Sequence, residues 1–321
     1  MSLEEINRIF FNFKPLLRVL FSGGEPFLRN DIVSIVKIIY KHLNPLHISI
    51  PTNGILTNQI VKSLEQILPY CKDTVINISI SLNELYQRRD EIMGVEGSFD
   101  KSMDTYFQLQ KLKKRFSNLI LGVIITQIYS NQKYLDKIYD FAKDIIKVDN
   151  ISFGLIRNSW RKEEEANIDI NIYEKTCEKI KRDSYDIYGK RLFPFWRFFV
   201  EQKNLVNNYV MEIYKKNKFF FPCYSGRIRI VITPDGEVYP CEILMLKDRK
   251  KFKMGDLRNS NYSIKEIYRS EKYYSIIQYI KKNKCFCRHE CDLTTTIFFN
   301  PKLFLTLLLK LVKGMKLNKY L

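Results

Sequence analysis

The first 70 residues of this 321-residue chain contain no cysteine, and no apolar run in the chain is long enough to span a bilayer. The first absence excludes a thiolate-ligated metal or cluster built from the N-terminal residues alone. The second excludes a membrane-spanning helix, which needs about 20 consecutive apolar residues. No secretory signal stands at the start, where Ser2 and Glu5 form the pattern of a helix capping box. Together these absences predict a cytoplasmic protein.

Positive charge is the strongest bias in the composition, with 53 Lys and Arg, 35 Asp and Glu, and a net charge of +18. The excess is concentrated in the last third: residues 201–321 hold 24 basic and 11 acidic side chains, whereas the preceding residues hold 29 and 24. Such a surface is either simply solvated or attracts phosphates, anionic lipid or an acidic substrate. A hydrophobic fraction of 45% over this length is typical of a globular protein with a full core.

Short apolar runs alternate with longer amphipathic segments from Leu3 to about residue 190, which is typical of repeating β–α units. The predicted strands are Leu16–Phe21, Leu46–Ile50, Val75–Leu82, Leu119–Thr126 and Ile151–Ile156, and the predicted helices are Ile32–Leu43, Gln59–Leu68, Ser102–Phe116 and Tyr134–Ile146. Because several strands are β-branched and apolar on both faces, they indicate a buried parallel sheet. A parallel barrel and a doubly wound sheet both fit this pattern.

Polar residues gather where the predicted strands end. The first strand is followed by Gly23, Gly24, Glu25 and Pro26, and the later ones by Asn53, by Ser79, Ser81 and Asn83, and by Thr126. Two glycines let a ligand approach the backbone closely, and a carboxylate beside them suits an ammonium group. Each residue taken alone fits a turn or helix cap equally well. The carboxyl ends of parallel strands share one edge where ligands bind, so the set predicts a ligand site there.

Residues 223–241 predict a β-hairpin framed by cysteines. Apolar residues alternate up to Ile232, Thr233–Glu237 has the composition of a turn, and Val238 begins the return strand. The predicted antiparallel pairing brings Cys223 and Cys241 towards the same end. Three more thiols, Cys285, Cys287 and Cys291, lie within a short stretch further along the chain. Clustered thiols in a reducing compartment indicate zinc or an iron–sulfur cluster, and chance clustering is the alternative.

Two further segments differ from their surroundings. Residues 191–222 are rich in aromatic and basic side chains, which either stack on bases or pack one domain on another, and packing is the favoured interpretation. Residues 297–321 predict a C-terminal amphipathic helix. That helix either docks on the body of the protein, which we favour, or makes a weak contact with a membrane surface.

Four stretches together resemble the radical SAM superfamily, specifically members with a C-terminal SPASM or twitch domain. They are Phe21–Pro26, Ile80–Asn83, Gly94–Asp100 and the cysteine hairpin with Cys223, Gly236 and Cys241. The resemblance implies an α/β fold: a partial (β/α) barrel, here without its first strand, and a small cysteine-rich domain of hairpin and helix. It divides the chain into a barrel over 1–190, an aromatic basic connector over 191–222, an iron–sulfur domain over 223–296 and the C-terminal helix over 297–321.

The resemblance also implies cofactor and metal ligands. In the superfamily a Gly-Gly-Glu stretch holds the methionine amino group of S-adenosylmethionine, which here implies Gly23, Gly24 and Glu25. The other implied cofactor-binding residues are Pro26, Asn53, Ser79, Ser81, Asn83, Thr126 and Asn131. An auxiliary [4Fe-4S] cluster takes four thiolates from Cys223, Cys241, Cys285, Cys287 and Cys291. Asn83 stands where the superfamily often has an acidic residue and Met93 where it often has arginine, and both differences weaken the match.

The superfamily's Cys-x3-Cys-x2-Cys loop has no counterpart, because no cysteine precedes Cys71. The expectation is an N-terminally truncated and inactive version of an enzyme that generates a 5′-deoxyadenosyl radical to modify a peptide or small molecule. The truncated chain would bind S-adenosylmethionine weakly or not at all, and the second [4Fe-4S] cluster would form only with upstream residues. The electron donor of the active enzyme would be a flavodoxin or ferredoxin. The alternative is a non-catalytic iron–sulfur or zinc module that binds a peptide or nucleic acid through the basic C-terminal third.

Overall fold

The computed structural model describes residues 1–156, 167–188 and 196–317. The chain divides into two compact units, residues 1–156 and residues 157–321. None of the helices in the described ranges is both long and apolar enough to cross a membrane.

The first unit alternates strands and helices around one parallel sheet, whose strand order follows the chain order. Its strands are β1 (Arg18–Leu20), β2 (His47–Thr52), β3 (Val75–Ser81), β4 (Leu119–Gln127) and β5 (Asn150–Leu155). Its helices are α1 (Leu3–Phe11), α2 (Ile32–Leu43), α3 (Thr57–Ile67), α4 (Tyr86–Met93), α5 (Ser98–Lys113) and α6 (Leu135–Asp140), with 3₁₀ turns at Pro26–Leu28 and Gln132–Tyr134 and a π-helical turn at Phe141–Ile145. A parallel sheet in sequential order is half of a (β/α) barrel, so the predicted fold class is confirmed.

The two faces of this sheet differ in chemistry. Successive side chains of a strand point to opposite faces. On β3 the buried isoleucines Ile76, Ile78 and Ile80 therefore share one face, and Asn77 and Ser79 share the other. Ser49 of β2 is the register partner of Asn77, so the polar face continues across both strands. This pair is therefore not among the strands that are apolar on both faces.

The loop before α5 shows why that helix begins earlier than the predicted Ser102. The Asp90 carboxylate accepts hydrogen bonds from the amides of Gly97 (2.8 Å) and Phe99 (2.9 Å) and from the Ser98 hydroxyl (2.8 Å). These bonds satisfy amides that an unaided helix start leaves without partners. They also lower the pKa of Asp90, with the Phe99 amide the largest cause. The cap comes from a residue upstream of the loop, so local periodicity does not reveal it.

His47, at the start of β2, makes the stability of the first unit depend on pH. It is half-buried, and its buried Nδ1 has no hydrogen-bond partner among the described residues. Burial, and then the charge of Arg18, lowers its pKa to about 4. The unfolded chain therefore binds a proton that the folded chain does not as the pH falls from about 6.5 towards 4.

We expect the contribution of His47 to the free energy of unfolding to be fully present above about pH 6.5. By about pH 5 the free energy of unfolding should have fallen by about 1–2 kcal/mol, because His47 binds a proton in the unfolded chain. Urea unfolding of the wild type and of His47→Gln at the two pH values measures this difference. The variant should lose less stability on acidification. Equal losses in the two proteins would contradict the assignment.

The second unit is mainly helical around a small antiparallel sheet of β6 (Val231–Ile232), β7 (Glu237–Tyr239) and β8 (Gly255–Asp256). Its helices are α7 (Ile170–Tyr188), α8 (Trp196–Lys216), α9 (Glu242–Lys247), α10 (Arg249–Phe252), α11 (Ile264–Arg269), α12 (Glu271–Lys282), α13 (Glu290–Phe299) and α14 (Pro301–Leu317). The predicted hairpin is present, although its strands are shorter than the alternation of isoleucines suggested.

Two predicted segments of the second unit have different boundaries in the structure. Most of the predicted connector 191–222 is helix α8, in which Phe198 stacks on Phe298 of α13 with ring centroids 5.6 Å apart; residues 191–195 lie outside the described ranges. The predicted C-terminal helix is divided at Asn300, whose side-chain oxygen accepts from the amides of Lys302 (3.1 Å) and Leu303 (3.2 Å). Helix α14 therefore begins at Pro301, and residues 318–321 are outside the description.

Candidate cofactor edge and thiol site

Glu25 is held rigidly where β1 and β2 end. Its Oε1 accepts hydrogen bonds from the Phe27 amide (3.2 Å) and the Thr52 hydroxyl (2.9 Å), and its Oε2 accepts one from the Asn53 amide (2.6 Å). An ionised carboxylate offers about four acceptor positions. Three are used within the protein, so acceptor capacity remains for a ligand at the half-buried carboxylate.

Gly23 and Gly24 are glycines for different reasons. Gly23 has φ of +115°, a backbone conformation that side chains rarely adopt. Gly24 has no such constraint, and both residues are exposed. A Cβ added at either position meets no protein atom within 4 Å. Nothing in the described structure occupies the space over Gly24, beside Glu25, so that space is open to a ligand.

Asn83, Thr126 and Asn131 lie together and tie the ends of β3 and β4. The Asn83 side-chain oxygen accepts from the Thr126 amide (2.8 Å), and Asn131 donates to the carbonyls of Asn83 (2.9 Å) and Thr126 (2.8 Å). The remaining side-chain oxygen of Asn131 accepts from the Ile128 amide (2.9 Å). The amide nitrogen and oxygen of the Asn131 side chain are therefore both hydrogen-bonded to other protein groups. Its arrangement is that of a residue that positions the loop.

Ser79 lies on the polar face of β3, one step deeper than Ser81. Asn77, which the sequence analysis missed, donates from one amide nitrogen to the hydroxyls of Ser49 (3.0 Å) and Ser79 (3.0 Å). The side-chain oxygen of Asn77 is buried and has no hydrogen-bond partner in the described structure. A polar residue within the isoleucine-rich run of β3 was the available signal, because a buried amide is costly unless something binds it.

Arg89 of α4 is the second residue that the sequence analysis missed. Its side chain is buried, and its guanidinium donates to the carbonyl oxygens of Ser81 and Asn53, the latter at 2.6 Å. Burial lowers its pKa to about 10, so it remains cationic at neutral pH. No carboxylate of the described residues forms an ion pair with it. Arg89 donates to the Asn53 carbonyl, and the Asn53 amide donates to Glu25. Arg89 therefore fixes the loop beside Glu25.

Four of the five clustered cysteines converge in the second unit. Cys223, Cys285 and Cys287 line one pocket with Phe220, Phe221 and Phe286. Cys241 caps α9, with its sulfur accepting from the Leu244 amide at 3.4 Å. Burial raises the pKa of Cys285 to about 11, with a further contribution from Cys223. Burial also raises the pKa of Cys241 and of Cys287, and Cys223 adds to both shifts.

The four thiols are suitable ligands for a metal centre, but their sulfurs are not positioned as in a formed metal site. Thiols that raise each other's pKa are unfavourable as thiolates unless a positive centre compensates them. Four thiols are the donor set of a [4Fe-4S] cluster and of a four-cysteine zinc site. Across the part of the chain that the structure describes, no three His, Cys, Asp or Glu side chains stand in the geometry of a formed metal site. Binding of an ion or cluster would require these sulfurs to move closer together.

Cys291 belongs to a neighbouring network. Its thiol hydrogen-bonds to His289 and interacts electrostatically with Arg229, and both interactions raise the pKa of the partner. One oxygen of the buried Asp292 accepts from the Ser225 hydroxyl (2.7 Å) and the Arg229 guanidinium (2.6 Å), and the other lies 2.5 Å from Nδ1 of His289. Burial opposes both charges, but these contacts outweigh it, so the pKa of Asp292 is lowered and that of His289 raised. The network joins the start of the hairpin to α13, which holds the thiols in place.

Replacing Asp292 by Asn should lower the free energy of unfolding by about 3 kcal/mol, because it leaves the largely buried Arg229 without its counter-ion. The matched control is Asp235→Asn, whose ion pair with Arg249 is exposed and should cost less than about 1 kcal/mol. Chemical denaturation of the two variants measures the difference. Similar losses in both variants would show that the buried Asp292 network contributes no more stability than an exposed ion pair.

Comparisons with known sequences cover both units. Residues 1–155 match the radical SAM superfamily, and residues 223–292 match the SPASM iron–sulfur cluster-binding domain. A probable GTP 3′,8-cyclase of Sulfurisphaera tokodaii is 25% identical over 254 residues, covering 77% of this chain and 72% of that protein. The GTP 3′,8-cyclase of Lactiplantibacillus plantarum is 26% identical over 168 residues, or 51% of this chain and 48% of its own length. A cysteine-type anaerobic sulfatase-maturating enzyme of Clostridium novyi is 25% identical over 261 residues, covering 76% and 62%.

Solved structures show the same fold. Native anSMEcpe with bound AdoMet superposes with a TM-score of 0.57 at 16% sequence identity, covering 88% of this chain and 76% of that chain. The form with bound AdoMet and the Kp18Cys peptide gives a TM-score of 0.56 with the same coverage. The family matches over residues 1–155 and 223–292 confirm the resemblance found in the sequence: the chain belongs to the radical SAM superfamily and carries a SPASM domain.

Proposed function

We propose that this chain binds S-adenosylmethionine at the carboxyl edge of its sheet and a [4Fe-4S] cluster at the thiols of its second unit, as part of a radical enzyme that modifies a peptide or small molecule. The observation that carries the proposal is the fixed Glu25 carboxylate beside the open space over Gly24. When bound with a reduced cluster, S-adenosylmethionine supplies a 5′-deoxyadenosyl radical, and the protein supplies position and electrostatics.

The Glu25 carboxylate, at the carboxyl ends of the strands, recognises an ammonium group through its negative charge. Glu25 retains acceptor capacity after its three internal hydrogen bonds, and charge-assisted bonds are about twice as strong as neutral ones. Ser79 and Ser81 offer hydroxyls on the polar face for the carboxylate and ribose. Asn53, Asn83, Thr126 and Asn131 shape the loops around them, and Pro26 fixes the turn after Glu25.

The cluster takes Cys223, Cys241, Cys285 and Cys287. Cys223 and Cys285 line one pocket with Cys287, and Cys223 contributes to the raised pKa of Cys241, Cys285 and Cys287, whereas Cys291 hydrogen-bonds to His289. Anaerobic reconstitution followed by iron and sulfide analysis tests the proposal, and about four of each per chain are expected. One equivalent of zinc without acid-labile sulfide would favour the non-catalytic module instead.

The chain as printed should form no 5′-deoxyadenosine. Three thiolates are required for the cluster that reduces S-adenosylmethionine, and no cysteine precedes Cys71. Cys71 itself is buried, and burial raises its pKa to about 12, which makes it a poor ligand. The measurement is chromatography of reconstituted protein incubated with S-adenosylmethionine and a strong reductant. Product above the level of a protein-free control would overturn this prediction.

The proposed substrate classes are those named for the relatives. Their names include enzymes acting on GTP and an enzyme that matures sulfatases. A peptide and a small molecule are therefore both proposed. Nucleic acid is the minor candidate, because the aromatic residues of α8 described above pack on one another and on α13.

Helix α14 carries the remaining proposal, a weak contact with a membrane surface. It exposes Leu305 (56%) and Leu309 (54%) while burying Leu303 and Leu307. An amphipathic helix with an exposed apolar side adsorbs to lipid headgroups when cations flank it, and Lys302 and Lys310 lie on the same helix. Sedimentation with anionic vesicles measures the contact.

A further inference from the structure

Three buried polar side chains lie together on one face of the parallel sheet, and we call Ser49, Asn77 and Ser79 the polar floor. Ser49 of β2 is the register partner of Asn77, and Ser79 follows Asn77 two positions along β3, on the same face. The side-chain nitrogen of Asn77 donates to both hydroxyls, each at 3.0 Å. The three side chains therefore form one hydrogen-bonded cluster on two central strands.

The polar floor leaves hydrogen-bonding groups of both kinds unused. Each serine oxygen accepts a bond from Asn77, and neither hydroxyl donates its own hydrogen to an acceptor among the described residues. The side-chain oxygen of Asn77, a residue that is only 5% exposed, has no donor in the described structure. A buried acceptor without a donor is costly unless something binds it. The cluster therefore offers two donors and one acceptor to a ligand.

The two faces of the sheet differ in how completely they are covered. On the face opposite the polar floor, Ile48, Ile76 and Ile78 are at most 1% exposed. On the face that carries the polar floor, the surrounding side chains are half-exposed; they are His47, Pro51, Val75, Ser81, Ile120 and Ile124. Gly122, the register partner of Ser79, adds no side chain beside it. The polar floor therefore lies at the bottom of a depression that a ligand can enter.

The chemistry of this depression selects an uncharged ligand group. The side chains beside the polar floor are apolar, apart from His47, which is neutral at pH 7; they are Leu20, Pro51, Val75 and Ile120. A carboxylate only accepts hydrogen bonds and an ammonium only donates them, so either ion leaves part of the cluster unpaired and loses its own hydration. A carboxamide carries a donor and an acceptor on separate atoms and has no charge.

We propose that the polar floor binds a carboxamide group of the substrate, with Asn77 as the residue that determines specificity, an inference that rests on the proposed function. The Asn77 oxygen accepts from the N–H of the carboxamide, and the Ser49 hydroxyl donates to its carbonyl oxygen. Ser79 lies nearer the carboxyl end of β3, and its hydroxyl remains for the cofactor. The substrate class narrows to molecules that carry an amide, as peptides do.

The test uses three small probes of the same shape. Acetamide donates and accepts hydrogen bonds, acetate only accepts them, and acetamidinium only donates them. Each probe is titrated into the isotope-labelled full chain, and binding is followed by nuclear magnetic resonance at the backbone amides of Ser49 and Ser79. The wild type should bind acetamide at least about tenfold more tightly than either ion, because each ion leaves a buried group of the polar floor unpaired.

Asn77→Asp keeps the shape of the side chain, removes its two donors and adds a negative charge. This variant should reverse the preference and bind acetamidinium at least about tenfold more tightly than acetamide, a change that a purely structural role does not produce. The matched control, Asn58→Asp, makes the same change at an exposed site of α3 and should keep the wild-type preference. Ser49→Ala removes one hydroxyl and should weaken acetamide binding by about three- to tenfold, which tests the site if Asn77→Asp does not fold.

The proposal is overturned if no probe shifts these signals, if the wild type binds the three probes or 2-propanol equally well, or if the variants at Asn77 and Ser49 keep the wild-type affinities. The titration requires neither S-adenosylmethionine nor iron, so its outcome is separate from that of the proposed function. A protein that reconstitutes with about four irons but binds no acetamide would refute the amide site alone. A protein that binds acetamide but takes up no iron and sulfide would refute the proposed cluster and leave the amide site standing.

Discussion

Replacing Cys241 by Ser is expected to abolish cluster assembly, with iron and sulfide falling from about four to less than about one per chain. The physical reason is that Cys241 joins the hairpin to the other thiols while capping α9. Serine preserves the cap, because its hydroxyl also accepts from a helix amide. Any loss therefore comes from the missing thiolate. Because cluster binding is coupled to folding of the unit, stability should fall by on the order of 5 kcal/mol or more.

Two matched variants sharpen this prediction. Cys291→Ser should retain iron, since Cys291 hydrogen-bonds to His289 and does not line the pocket that holds Cys223, Cys285 and Cys287. Cys177→Ala removes a buried thiol outside the cluster and should retain iron as well. Iron content, absorbance near the visible charge-transfer bands and thermal unfolding are measured for all three proteins. Loss of iron from Cys291→Ser with retention in Cys241→Ser would reverse the ligand assignment.

Gly24→Ala is expected to weaken S-adenosylmethionine binding by about 10- to 100-fold while leaving the stability of the protein unchanged. The added methyl group enters the space beside Glu25, where it meets no protein atom within 4 Å and so strains nothing in the fold. An overlap of one methyl group with a well-fitted ligand costs about 1–3 kcal/mol, which corresponds to this loss of affinity.

The neighbouring variant provides the contrast. Gly23→Ala forces a side chain onto a residue with φ of +115°, so it should lose about 1–2 kcal/mol of stability as well as affinity. Equilibrium dialysis with labelled ligand and urea unfolding separate the two effects. Unchanged binding by Gly24→Ala would place the ligand elsewhere.

The strands and helices of the first unit were largely predictable because hydrophobic periodicity is local. The predicted helix Ile32–Leu43 has the same limits in the structure, and the strand predicted from Val75 begins there. The Gly-Gly-Glu turn and the cysteine hairpin were likewise visible, because each is defined by residues close in sequence. Helix α8 was not predicted, since its aromatic residues obscured the helical spacing.

Contacts between distant residues could not be predicted in this way. Arg89 binds the carbonyl of Asn53, 36 residues away, and Ser225 binds Asp292 across 67 residues. The proposed choice of four thiols among five rests on the same network, in which Cys291 hydrogen-bonds to His289.

The sequence by itself determined the family, the alternation of strands and helices, and the residue types of both sites, since each is set by neighbours along the chain. Only the tertiary structure decided that the polar residues of β2 and β3 lie side by side, that Arg89 supports the loop beside Glu25, and which thiols line one pocket. These depend on strand register and helix packing, in which the free energy comes from burying groups that are far apart in the chain.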